Sequence, residues 1–338
     1  MSQSASNKAA SLGTAAGVVL GLCSAVGYTL TNILLRYLAT DFDPGLVSCL
    51  KAAPTVVIAV LLFAAPKWRN RRVLPTGRLL ALLIGTGLAV QLGGNLAFQF
   101  ALARIGLALT VPVCFGTLIF AGAAMGRVWL GEPITPRTLL AMGLFVVAIG
   151  LLAWHAEVAR NAIAQSEHDF ASANGAAGTI ARAADKAVSP RTVSLGLLAA
   201  GSSGVAYALS AVVIRSAARS VSVAATLGVI SFTGVVSLGT ISVVRVGFAN
   251  LAATDPVALL LMISAGIINA GAFFALGKSL KHTSVSRSNM LNASQVAMAA
   301  IAGVALFDEP ADVPLALGVA LTLAGLLTFR GDQAPAEL

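Results

Sequence analysis

Ala25-Val26-Gly27-Tyr28-Thr29-Leu30-Thr31-Asn32-Ile33-Leu34-Leu35-Arg36 lies against Gly204-Val205-Ala206-Tyr207-Ala208-Leu209-Ser210-Ala211-Val212-Val213-Ile214-Arg215 with Tyr and Arg at one common offset. A second match follows in the same order. Gly131-Glu132-Pro133 pairs with Asp308-Glu309-Pro310. Each precedes an apolar stretch with two glycines seven apart, Gly143 and Gly150, then Gly318 and Gly325. Matches kept in one order mark an internal repeat, and a repeat fixes the architecture.

The material between the matches is apolar. The 338 residues are 57% hydrophobic and 10% charged, with a mean hydropathy of +0.89. A soluble domain is about half apolar and about a quarter charged, so a soluble enzyme and a disordered chain are both excluded. Three cysteines, Cys23, Cys49 and Cys114, exclude a disulfide-built module. Each lies in or near an apolar run and reads as a small buried hydrophobe.

A membrane-spanning helix needs about 20 apolar residues. That ruler gives ten candidate spans: Gly13 to Leu35, Pro44 to Ala64, Leu79 to Phe100, Ala108 to Leu130, Thr138 to Trp154, Val193 to Ile214, Ala224 to Val246, Val257 to Leu276, Val285 to Phe307 and Val313 to Phe329. The first reads as a retained span, since no cleavage site follows the short polar start. Each repeat copy then holds five spans, and an odd number turns the second copy upside down in the membrane. The expected fold is an all-α polytopic membrane protein, ten transmembrane helices in two inverted five-helix repeats. Secondary transporters are built this way, with substrate near the midplane between the repeats. The parts are an N-terminal repeat (1–154, spans 1–5), an extramembrane connection (155–192), a C-terminal repeat (193–330, spans 6–10) and a cytoplasmic tail (331–338).

The net charge of +9 would suggest nucleic acid in a soluble protein. In an apolar chain it is a topology signal, and no nucleic-acid partner is expected. Of the 22 Lys and Arg, fourteen fall on the side that holds both termini and eight on the other, four of the eight in the long connection. Both termini are therefore expected in the cytoplasm and the connection outside, in the cell membrane.

Ten spans, two five-span repeats and an acidic Glu-Pro turn after the fourth span of each repeat resemble the EamA branch of the drug/metabolite transporter superfamily. The residues that carry the resemblance are Trp129-Leu130-Gly131-Glu132-Pro133 through Gly143 and Gly150, and Leu306-Phe307-Asp308-Glu309-Pro310 through Gly318 and Gly325. It implies a permease that moves small metabolites, amino acids among them. It also implies a central cavity lined mainly by the first, third, fourth, sixth, eighth and ninth spans, with the fifth and tenth to one side. The long connection departs from the family's usual short link.

Those are the spans that carry buried amides. A polar side chain in hydrocarbon is costly unless it is paired or faces water. Gln91, Asn95 and Gln99 follow one another at i, i+4 and i+8 on one helix face. Tyr28 and Asn32 lie in the first span, Tyr207 and Ser210 in the sixth, Asn269 in the eighth, and Ser288, Asn292 and Gln295 in the ninth. These eleven are the candidate substrate-binding residues. Hydrogen bonding between packed helices is the alternative role for any one amide. Gly13, Gly17 and Gly21, and Gly122 with Gly126, read as close-packing ridges. Pro54 and Pro112 read as kinks, and Glu132 and Glu309 as turn formers or caps of the helices near Thr138 and Val313.

No metal, cofactor or catalytic motif is expected. His155, His168 and His282 lie at span ends or in connections, and no phosphate-binding Gly-x4-Gly-Lys-[Ser/Thr] loop occurs. The partners are the bilayer and a small-molecule substrate. None of the 13 acids falls at the centre of a span, so the expected substrate is neutral or zwitterionic, such as an amino acid, moved by an exporter or facilitator. The cations nearest the bundle, Lys51, Arg104, Lys278 and Arg287, leave an anionic metabolite such as a sugar phosphate as an alternative. A sensor or assembly subunit without transport is the other.

Overall fold

The structure, a computed structural model, describes residues 2–38, 42–64, 75–151, 154, 190–307 and 311–328. Most of the long connection (155–189), the basic 65–74 loop, the Asp308-Glu309-Pro310 turn and the 331–338 tail lie outside the described residues.

Every element among the described residues is helical. In order they are α1 (Ser2–Leu38), α2 (Pro44–Ala64), α3 (Gly77–Leu88), α4 (Ala97–Leu130), α5 (Pro136–Leu151), α6 (Pro190–Ala217), α7 (Val223–Val246), α8 (Phe248–Ala252), α9 (Pro256–His282), α10 (Val285–Ala293), α11 (Gln295–Phe307) and α12 (Val313–Thr328). A π-helical stretch, Ala89–Leu96, joins α3 to α4. Seven stretches are long and apolar enough to cross a membrane: Gly13–Leu35, Pro44–Phe63, Gly77–Ile105, Thr110–Leu130, Ser194–Ala217, Val223–Val246 and Pro256–His282. The chain is a multi-pass membrane protein, all-helical among the described residues. Pro136–Leu151 and Val313–Gly325 are shorter apolar helices. The expected ninth span is interrupted at Ser294, between α10 and α11.

Local chemistry sets several of the ends. Ser222, Asp255 and Ser284 cap α7, α9 and α10, each side chain accepting from a backbone N–H three residues on. Gly131 ends α4 at φ 68°, the left-handed position that glycine takes without a Cβ penalty.

The Ala97–Leu130 segment is helical, yet the chain reverses direction between Gly93 and Thr117. Ser202 Oγ donates to Gly93 O at 3.3 Å, and Thr117 Oγ1 donates to Gly201 O at 3.2 Å. Adjacent residues of α6 thus touch positions that a straight helix would hold about 36 Å apart.

The main packing joins elements of the first half of the chain to elements of the second: α1 to α9, α2 to α7, and α4 to α6. Small residues permit it. A Cβ at Gly27 would stand 2.9 Å from the Ala272 Cβ, and one at Gly228 2.9 Å from the Ala59 Cβ. The Gly17, Gly21 and Gly122 ridges likewise face Thr283, Leu291 and Asn289. Gly143 and Gly150 are different, with nothing within 4 Å of a Cβ. Packing within the described residues gives no reason for that glycine pair. Cys114 is buried, but Cys23 is exposed, against the expectation of a buried thiol.

Glu132 does more than shape its turn. Both carboxylate oxygens accept from the Val285 backbone N–H at 3.0 Å, the first donor of α10. The same carboxylate pairs with Arg215 at 2.7 Å. Arg215 also donates to the Leu280 and Thr283 carbonyls, exposed where α9 ends. The expected cap of the next helix near Thr138 is instead supplied by Thr135, whose hydroxyl accepts from Thr138 N at 3.1 Å.

Candidate functional site

The helices line a polar-walled cavity between them. Its polar wall is contributed by both halves of the chain. Tyr28 and Asn32 come from α1, Lys51 from α2, Gln91 and Asn95 from the π-helical stretch, Tyr207 and Ser210 from α6, Asn269 from α9, and Asn289, Asn292 and Gln295 from α10 and α11. Phe98, Phe115 and Phe273 supply aromatic surface.

Two backbone irregularities meet here. The π-helical stretch carries Gln91 and Asn95, and Gly94 within it lets the chain approach the Tyr207 ring, 2.8 Å from where a Cβ would stand. π-Bulges occur frequently at functional sites because they rotate side chains out of the regular helical register. The interruption at Ser294 separates Asn292 from Gln295. Discontinuous helices of this kind line transporter cavities, where freed backbone groups can be satisfied.

The polar groups form two hydrogen-bonded chains. In the first, Lys51 Nζ and the Tyr207 hydroxyl both donate to Asn95 Oδ1 at 2.9 Å. Asn95 Nδ2 then donates to Gln91 Oε1 at 2.7 Å, and Gln91 Nε2 to Ile230 O at 3.5 Å. In the second, Asn32 Nδ2 donates to Gln295 Oε1 at 3.1 Å. Gln295 Nε2 in turn donates to the Asn292 carbonyl at 2.9 Å and to its Oδ1 at 3.1 Å. The amides therefore serve both roles weighed from the sequence, bridging helices and facing the cavity.

Nine of the eleven candidate residues line the cavity, Gln99 and Ser288 being the two that do not. Gln99 is 2% exposed and its Nε2 has no hydrogen-bond partner. Its i+8 position follows a π-helical stretch, which breaks the 3.6-residue register that put it on the Gln91 face. Ser288 is fully buried and donates to Ser279 Oγ at 3.2 Å. Of the four cations near the bundle, Lys51 alone is on the lining. Arg104 stacks over the Phe100 ring at 4.0 Å, Arg287 is buried in α10, and Lys278 is exposed. Asn289 was not singled out from the sequence. It lies seven residues after the α9 end, and only the packing against Gly122 reveals it.

Comparison with known proteins follows the same line. Residues 194–330 match the EamA-like transporter family, so the resemblance read from the sequence holds over that stretch. A solved structure described as "Crystal structure of protein" is similar with a TM-score of 0.66, over 94% of this chain and 96% of that one, at 15% sequence identity. At that identity the likeness shows the fold alone. No curated protein matches the chain.

Proposed function

We propose that the protein is a secondary carrier, an exporter or facilitator of a small neutral or zwitterionic metabolite such as an amino acid. It works by alternating access between two inverted five-helix repeats. The observation that carries this reading is the amide-lined cavity, with polar residues from both halves and a broken helix on its wall. The family matched over residues 194–330 is a transporter family, which supports the class.

Ten crossings follow if α5, α12 and the interrupted pair α10–α11 each count beside the seven long stretches. The contacts support an exchange symmetry between the halves. Exchanging the first span with the sixth, the second with the seventh and so on turns the α1–α9 contact into that of α6 with the π-helical stretch and α3. It likewise turns α4–α6 into α11–α1, and α2–α9 into α7–α3. Each partner contact is present. The excess of Lys and Arg on the side that holds both termini supports a cytoplasmic position for them.

Lys51 on the lining favours the second reading, a carrier of an anionic metabolite such as a sugar phosphate. The test is counterflow in vesicles reconstituted with the purified full chain. The panel comprises amino acids, nucleosides and hexose phosphates. A carrier accelerates labelled uptake when the same unlabelled compound is preloaded. Folded protein that moves no member of the panel would sink the carrier reading.

A further inference from the structure

Lys51 sits seven residues into α2, about 10 Å along the helix from its start. It is 6% exposed and lines the cavity. An ammonium has three donors, and the structure gives this one a single hydrogen bond, to Asn95 Oδ1. That oxygen is already shared with Tyr207. Among the described residues on the lining there is no Asp, Glu, Arg or His. A cation at this depth is costly unless something answers its charge, and Asn95 supplies only a dipole.

The rest of the wall is arranged to match. The first polar chain runs one way, from Lys51 and Tyr207 through Asn95 and Gln91 to a backbone carbonyl. The Lys51 end is therefore its electropositive head. Asn289 lines the same cavity at 2% exposure with an Nδ2 that has no partner. A phosphate monoester carries about −1.5 to −2 charge at pH 7. One ammonium balances one negative charge.

We infer that Lys51 is the carboxylate subsite of the cavity: the substrate carries a single carboxylate, which takes the free Lys51 donors, while its apolar part lies against Phe98, Phe115 and Phe273. This rests on the carrier reading above and narrows it. Of the neutral and zwitterionic compounds that reading allows, those without a carboxylate are excluded. The wall offers a substrate ammonium no opposite charge, so the carboxylate is the group that is read.

The experiment is counterflow with the full chain in vesicles, comparing wild type with Lys51→Met. The panel holds amino acids, their α-carboxamides, the matching 2-hydroxy acids, nucleosides and hexose phosphates. Wild type moves members with a free carboxylate and discriminates against the carboxamides by about tenfold or more, the scale of a hydrogen bond to a charged group. Lys51→Met loses that discrimination while its yield and melting temperature stay at wild-type level, a change of preference that a merely structural lysine would not produce. If wild type moves carboxamides, nucleosides or hexose phosphates as well as it moves acids, the subsite is wrong and the carrier reading stands. The same follows if Lys51→Met keeps the wild-type preference. If wild type moves no member, both fall.

Discussion

Glu132 and Arg215 meet at 2.7 Å where the turn after α4 lies against the last turn of α6. Their side chains are 9% and 13% exposed, so the pair is largely shielded from water. Glu132 also caps α10 through Val285, and Arg215 also holds the end of α9 through Leu280 and Thr283. Four elements converge on two side chains. Removing either one strands the other and leaves helix-terminal groups unsatisfied. Glu132→Ala and Arg215→Ala are each expected to cost about 3–5 kcal/mol. Together they should cost less than the sum, as coupled neighbours do. Thermal unfolding in detergent measures the cycle, and strict additivity would contradict the coupling.

The helix crossing between α4 and α6 depends on Gly204. A Cβ there would collide with Thr117 and with the Cys114 backbone carbonyl, which cannot move aside. Gly204→Ala should lower the melting temperature sharply, by at least the 1–3 kcal/mol typical of overpacking. Gly143→Ala is the control, because nothing within 4 Å of its Cβ resists. It should be neutral or stabilising by up to about 1 kcal/mol through helix propensity. Equal losses in both would mean that the crossing is not where the structure has it.

Leu substitutions at Gln91, Asn95, Asn292 and Gln295 should cut transport about tenfold or more while folded yield stays largely intact. Gln99→Leu should leave transport alone and cost no stability, since it removes a buried amide with no partner for its nitrogen. Counterflow activity normalised to folded protein separates the two sets. A loss of activity that simply tracks lost stability would favour amides acting only as links between helices.

Much of the fold was legible because hydrocarbon enforces a simple rule. Apolar runs of the right length become helices, and seven of the expected spans reappear as stretches able to cross a membrane. The polar residues of the cavity wall are legible for a related reason, since an amide within such a run stands out. What escaped was register and partnership. Gln99 was assigned to the Gln91 face by a spacing that holds for an α-helix and fails across the π-helical stretch. The partner of Glu132 lies 153 positions away in the chain at Val285, where no local pattern could point. Lys51 looked like one of several cations near the bundle. Only the packing separates it from Arg104, which a Phe100 ring holds elsewhere.

Topology is testable at two exposed positions in the connections. With the native cysteines replaced, Ala253→Cys, between α8 and α9, should react with an impermeant maleimide from outside intact cells. Arg219→Cys, between α6 and α7, should react only after permeabilisation. The expectation follows from the excess of Lys and Arg on the side that holds both termini. The opposite labelling pattern would reverse the orientation and place the Glu132–Arg215 pair on the outer face.

Lipophilic cations are expected to be excluded. A carrier that exports them in exchange for protons needs a carboxylate at depth, able to neutralise the cation and to give it up for a proton. The described cavity lining offers Lys51 and no acid. A substrate cation about 8 Å from that ammonium meets about 2 kcal/mol of repulsion at an effective dielectric constant near 20. That alone lowers its occupancy roughly thirtyfold. Vesicles with an imposed pH gradient should therefore accumulate no quaternary or lipophilic cation beyond protein-free controls. Lys51→Met, which removes the repulsion but adds no carboxylate, should admit cations weakly and without response to the gradient. Lys51→Glu should bring in the response. Strong gradient-driven cation uptake by wild type would show that a carboxylate reaches the cavity in another state of the cycle, and would reverse the assignment of substrate charge.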